Sequence, residues 1–216
     1  MGLLDRLAPR RNDPEPSRSS NGNGSNVDPV FATKALRKFL VSLTSRESPV
    51  LVDLGPVVGS NVSFFGEQLG CKIFVEDLYA DLDRHVRAGK LEALPEFLKQ
   101  RFPQGDGTVD GVLCWDLVDY LDRQSAQQLA AQLTRVLRPE GALLGLFGTA
   151  QPRDARYTKY VIVDEVNLKY RSYSAMQNRQ TILLNRDIIK LFAGLRVSDS
   201  FLLQNNLREI LFRKPA

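Results

Sequence analysis

The chain has 216 residues, 29 of them Lys or Arg and 25 Asp or Glu, with one His, two Cys and one Trp. That length suits one domain with appendages, and 43% hydrophobic with 25% charged residues is ordinary for a chain that fills its own core. Cys71 and Cys114 make neither a disulfide framework nor a zinc site, a lone His85 excludes a His-rich metal cluster, and no apolar run approaches the ~20 residues of a membrane-crossing helix.

Residues 1–28 read as a disordered tail. Pro, Gly, Asn and Ser dominate from Pro9 onward, and nothing apolar stands between Ala8 and Val27. Ahead of that stretch, MGLLDRL puts Leu3, Leu4 and Leu7 on one helical side, too little for firm docking on a partner or membrane surface. Arg6 breaks the myristoylation pattern that Gly2 would open. No charged-then-apolar signal opens the chain, so a cytoplasmic protein with reduced thiols is expected.

From Pro29 onward a single domain, 29–216, is expected. Phe31, Ala35 and Phe39 join Leu36, Leu40 and Leu43 in a helical stripe that Pro49 closes. The apolar run Val50–Leu54 predicts a strand buried on both faces. A turn through Gly55–Ser60 follows, then a helix from Asn61 to Leu69 closed by Gly70. Ile73–Val75 is a second buried strand ending in Glu76 and Asp77. Residues 79–101 read as two short helices, with Pro95 at a helix start. A strand over Gly111–Trp115, a helix over Gln124–Leu137, a turn at Pro139–Gly141 and a strand over Ala142–Phe147 complete the first part. The alternation predicts a parallel sheet with right-handed crossovers.

The last third changes character. Residues 151–216 hold 12 basic against 6 acidic side chains, interleaved with tyrosines. This is either a solvated basic face or an attraction for an acidic partner or nucleic acid. A hairpin insertion is expected at about 157–184, then a helix capped by Asn185. Strands over Val197–Leu203 and Glu209–Phe212 then close the sheet antiparallel.

In an open α/β sheet, ligands bind beyond the carboxyl ends of the strands. Three such ends carry informative residues: Asp53 to Gly59, Glu76–Asp77, and Cys114–Trp115–Asp116. A glycine-rich turn lets backbone N–H groups approach a ligand, and an acid at the next strand end can accept from two adjacent hydroxyls. A G-x-G-x-x-G dinucleotide loop fails at Val57 and Ser60, and no Gly-Lys-Ser/Thr follows, which excludes a P-loop.

In these motifs the sequence resembles class I S-adenosylmethionine-dependent methyltransferases, with a degenerate glycine-rich loop. VLVDLGPVVGS stands where that family has an acid and the loop. Asp77, closing KIFVED, stands where it has the acid that holds the ribose. DGVLCWDLVDYL resembles its fourth-strand motif, and LTRVLRPEGALLGLF and LREILFRK resemble later segments. The resemblance covers about residues 30–150 and 186–216. It implies a Rossmann-like, mostly parallel sheet flanked by helices, with the last strand antiparallel and the third strand short or lost. It implies S-adenosylmethionine as cofactor, with Asp53, Gly55, Val57, Gly59, Asp77, Cys114 and Trp115 about it and Asp116 as the catalytic candidate. Val57 stands where the family has glycine and puts bulk where the cofactor's amino-acid end would lie. Pro56 removes a backbone donor. CWDL in place of an Asn/Asp-Pro-Pro-Tyr motif argues against methylation of base amino groups.

Each candidate has a structural alternative. Asp53 can cap its own turn, and Asp116 and Asp119 can act as a base or as loop caps. Cys71 and Cys114 read as small buried hydrophobes and His85 as an exposed helix residue. Trp115 can line a pocket or fill a core. Tyr157, Tyr160, Tyr170 and Tyr173 can pave a substrate lid or pack across a hairpin. Two functions follow: methyl transfer to a small-molecule acceptor, or a non-catalytic binding or scaffolding module that kept the fold and lost the cofactor. Orientation of an already activated methyl requires no histidine base.

Overall fold

The computed structural model describes residues 28–150, 156–176 and 182–216. The expected tail therefore lies outside the described residues, except for Asp28, whose carboxylate accepts from Arg171 Nε at 2.6 Å.

The chain opens with a short strand, β1 (Val30–Ala32), where the apolar spacing had predicted helix. Phe31 matches the stripe of Ala35 and Phe39, but its ring packs on Tyr170 at 4.4 Å across the β1 pairing, so tertiary contact overrides the local period. Helix α1 (Leu36–Thr44) follows. Its start is held by Glu209, fully buried, whose Oε2 accepts from the Lys34 and Ala35 amides at 2.8 and 3.1 Å.

The alternation then proceeds as expected. β2 (Val50–Asp53) leads through the turn to α2 (Gly59–Ser63), which runs into a wide π-type turn over Phe64–Gln68. β3 (Lys72–Val75) is followed by α3 (Leu78–Arg87) and α4 (Leu94–Gln100), the latter with Pro95 in its first turn. β4 (Val109–Trp115), α5 (Arg123–Val136) and β5 (Leu137–Gly148) complete the parallel part. No strand lies between β3 and β4, so the third strand is lost as expected and α3 and α4 stand in its place. The expected turn at Pro139–Gly141 is a kink inside β5, with Glu140 at φ 62° and a register jump against β4.

A hairpin of β6 (Arg156–Asp164) and β7 (Asn167–Met176) follows. Then come α6 (Asn185–Leu191), β8 (Arg196–Leu202) and β9 (Leu207–Arg213). Leu184, not Asn185, is the residue that precedes the first turn of α6, and it makes no side-chain cap. The main sheet has the order β3-β2-β4-β5-β9-β8, and β9 alone runs against its neighbours. A separate antiparallel sheet has the order β1-β7-β6.

Side chains alternate across the main sheet with period 2. From β4, Val112 and Cys114 join the core under α3, α4, α5 and α6, while Leu113 and Trp115 join the core under α1 and the small sheet. Gly111 has no side chain because α1 lies against it. A Cβ there would meet Leu43 Cδ2 at 2.6 Å and Phe39 Cζ at 2.9 Å. Both cores are mainly aliphatic and aromatic, and each fully buried Leu or Phe contributes about 1.5–3 kcal/mol of apolar transfer.

Candidate functional site

The parallel strands β2, β3 and β4 end side by side, and their last residues border the end of the sheet where open α/β folds have their ligand crevice. Asp53 closes β2. It is 3% exposed, and its Oδ1 accepts from the Gly55 amide at 2.9 Å and from Trp115 Nε1 at 2.6 Å. Burial pushes its carboxyl up to about 6 against the pull of those two bonds, and the nearby Asp77 charge adds to the rise.

Trp115 closes β4 with φ 49°, a left-handed backbone that a bulky side chain adopts only under constraint. The turn sends the indole back toward β2. A Cβ on Gly55 would lie 2.9 Å from both Cδ1 and Nε1 of that ring. The space that glycine leaves beside the loop is therefore filled by the protein's own tryptophan. The indole also stacks on Tyr160 of the hairpin, with centroids 5.1 Å apart and planes 7° from parallel.

The next residue, Asp116, is fully buried and ringed by tyrosines. Tyr79 donates to its Oδ1 at 2.6 Å and Tyr120 to its Oδ2 at 3.4 Å. Burial first, and then the Asp116 charge, hold the Tyr79 and Tyr160 hydroxyls well above the ordinary tyrosine value, so they stay protonated donors. Tyr157 packs edge-on to Tyr79 and Tyr120, at 5.1 and 4.6 Å. Asp119, also buried, accepts from the Gly148 amide at 2.7 Å through Oδ2 and ties the end of β5 to this turn.

The β3 end is wetter. Asp77, at φ 38°, caps α3 by accepting from the Ala80 amide at 3.2 Å. Its Oδ2 has no partner among the described residues. Glu76 is committed elsewhere: Arg101 donates to its Oε2 at 2.6 Å and Gln104 to its Oε1 at 2.7 Å.

The remaining candidates fall as follows. Val57 is 62% exposed, and the side chain that fills the space beside Gly55 is Trp115 rather than Val57. Gly59 opens α2 with free space around it. Cys114 is a fully buried core thiol, pushed up by burial and then by Asp116 and Asp119, and Cys71 is buried as well. His85 is half-buried rather than exposed, against Phe97 at 4.9 Å. Tyr160 and Tyr170 are cross-strand partners in the hairpin, and Tyr160 in addition faces the crevice. The side chain of Tyr173 lies outside the described residues. The sequence reading missed Tyr79 and Tyr120, whose signal was their spacing, two after Asp77 and four after Asp116. It also missed Asn61 as a contact to the hairpin, for which no local signal exists.

No protein-family model and no curated protein matches this chain. Solved structures do match. The 1,6-didemethyltoxoflavin-N1-methyltransferase of Burkholderia thailandensis, determined with 1,6-didemethyltoxoflavin and S-adenosylhomocysteine bound, is 17% identical over 84% of this chain and 79% of its own, with a TM-score of 0.51. The [4+2]-cyclase SpnF is 12% identical over 84% of this chain and 80% of its own, with a TM-score of 0.50. The chain has the class I methyltransferase fold. The methyltransferase fold therefore reaches this chain at an identity where sequence alone carries little. No helix among the described residues is long and apolar enough to cross a membrane, and no group of acids, cysteines and histidine among them could hold a metal ion.

Proposed function

We propose that this chain carries out S-adenosylmethionine-dependent methyl transfer to a small-molecule acceptor, from a resting state in which the cofactor crevice is closed. The supporting observation is the pair of neighbouring strand ends: Asp53 with the Gly55–Gly59 turn on β2, and Asp77 on β3 with one carboxylate oxygen uncommitted. Asp77 would hold the ribose, and the backbone of the turn would approach the amino-acid end. In the conformation described, the Trp115 indole lies against Gly55, where that amino-acid end would approach the turn. Binding in this reading requires the indole to turn aside.

A second reading is favoured by the way the acids are satisfied. Asp53, Asp116 and Glu76 all accept from the chain's own donors, as a permanently filled site would have them do. On that reading the chain is a non-catalytic binding or scaffolding module of methyltransferase fold. The two readings differ in whether Trp115 moves. Calorimetric titration with S-adenosylhomocysteine separates them. The first expects measurable binding that Asp77→Ala weakens, and the second expects no heat at millimolar ligand.

A further inference from the structure

The small sheet is tied to the crevice by one strand. Asn61, at 1% exposure on α2, donates from Nδ2 to the Tyr160 carbonyl at 2.8 Å, and its Oδ1 accepts from the Ile162 amide at 2.8 Å. These two bonds give the outer edge of β6 what a neighbouring strand would give it, so a side-chain amide of the loop helix acts as the last rung of the hairpin sheet. The Tyr160 ring, on a residue so anchored, is the one that stacks on Trp115. Trp115 is at the same time held by Asp53 and sits in a left-handed backbone. A strained conformation of this kind persists only while its surroundings enforce it.

We propose that Asn61, Tyr160 and Trp115 form a latch: the hairpin β6–β7 clamps the indole over Gly55, and entry of an S-adenosyl ligand requires the Asn61 bonds to β6 to open. The proposal rests on the methyl-transfer reading above. It assigns the hairpin a gating part and makes α2, which follows the glycine-containing turn, the element that senses whether the gate is shut. Opening removes the stacking partner of the indole and leaves Trp115 free to abandon its strained backbone. The closed population lowers the apparent affinity for the ligand by the fraction of molecules that are open.

Trp115 is the only tryptophan in the chain, so its fluorescence reports the latch directly. The experiment uses the full chain. Acrylamide quenching is measured without ligand, and S-adenosylhomocysteine binding by calorimetry, for the wild type, Asn61→Ala and Asn61→Asp. Asn61→Asp keeps the acceptor to Ile162 and loses the donor to Tyr160, so it serves where the alanine variant does not fold. The latch expects quenching to rise severalfold in the variants with unchanged circular dichroism, and ligand affinity to tighten about tenfold as the closed state loses one buried hydrogen bond in Asn61→Asp and both in Asn61→Ala. Unchanged quenching in a folded variant overturns the latch whatever the ligand does. Raised quenching with the same affinity in all three proteins overturns the gate and leaves the methyl-transfer reading standing. Raised quenching with no binding by any of them at millimolar ligand overturns the methyl-transfer reading, and the gate with it.

Discussion

The two ends of the crevice are built on opposite principles. Between β2 and β4, Asp53, Gly55, Trp115 and Tyr160 are packed dry, and the acid is satisfied by an indole and a backbone amide. At β3, Asp77 borders solvent with one oxygen uncommitted, and its neighbour Glu76 is ion-paired to Arg101, itself only partly buried. On the methyl-transfer reading, a ligand at the β3 end would meet a ready acceptor, whereas at the β2–β4 end it would have to displace an aromatic ring. In open α/β sheets ligands lie beyond such strand ends; in this chain a single side chain, Trp115, fills the space beside Gly55.

The comparison breaks most visibly at Trp115. Trp115→Ala removes one of the largest fully buried side chains and is expected to cost about 3–5 kcal/mol of stability, read by denaturant unfolding. A cost near zero would mean that the indole is not packed in the crevice. The next effect is on pH. The Asp53 carboxyl is raised to about 6 by burial, so the folded state holds its proton where the unfolded chain has lost it. The stability it contributes is whole below pH ~4, falls as pH rises to about 6 and is flat above, a change on the order of 3 kcal/mol. Asp53→Asn keeps an oxygen for Gly55 and Trp115 and should abolish that slope in unfolding curves taken between pH 4 and 7. Asp77→Asn leaves Asp53 in place and should keep the slope, lessened only by loss of the Asp77 charge that adds to the rise, which is the sharpest electrostatic contrast between the two ends.

Smaller effects belong to the wet end and the rim. Asp77→Ala loses the cap on Ala80, about 1 kcal/mol. If an S-adenosyl ligand binds, the variant also loses charge-assisted bonds worth roughly 10- to 150-fold in affinity. Val57→Ala, at a mostly exposed position, should change stability by less than about 0.5 kcal/mol and leave ligand affinity as it was. A gain in affinity there would restore Val57 as the obstruction and remove that part from Trp115.

The sheet was legible in the sequence because buried parallel strands write themselves as apolar runs, as Val50–Asp53 and Gly111–Trp115 do, and because Pro and Gly punctuate the rest. The loss of the third strand was legible for the same reason: residues 79–101 carry helical spacing throughout. β1 was not legible, since three residues paired to a distant hairpin leave no period of their own, and Phe31 happened to match the helix that follows. At the site, acids at strand ends could be placed from order along the chain alone. What satisfies them could not. The bond from Trp115 to Asp53 spans 62 positions and that from Asn61 to β6 spans 99 to 101, and both depend on where a side chain turns after its strand or helix ends. The loop's bulk was sought in Val57 because it is adjacent in sequence; the side chain that fills the space beside Gly55 comes from the neighbouring strand.

The most direct test of the closed crevice is calorimetric titration of S-adenosylhomocysteine into the wild type and Trp115→Ala, with folding verified by circular dichroism. A gate predicts measurable binding by the wild type and at least about tenfold tighter binding by the variant, since removing the indole removes the cost of opening. Absence of heat from both proteins at millimolar ligand would contradict the account and leave Trp115 a permanent part of a non-catalytic core.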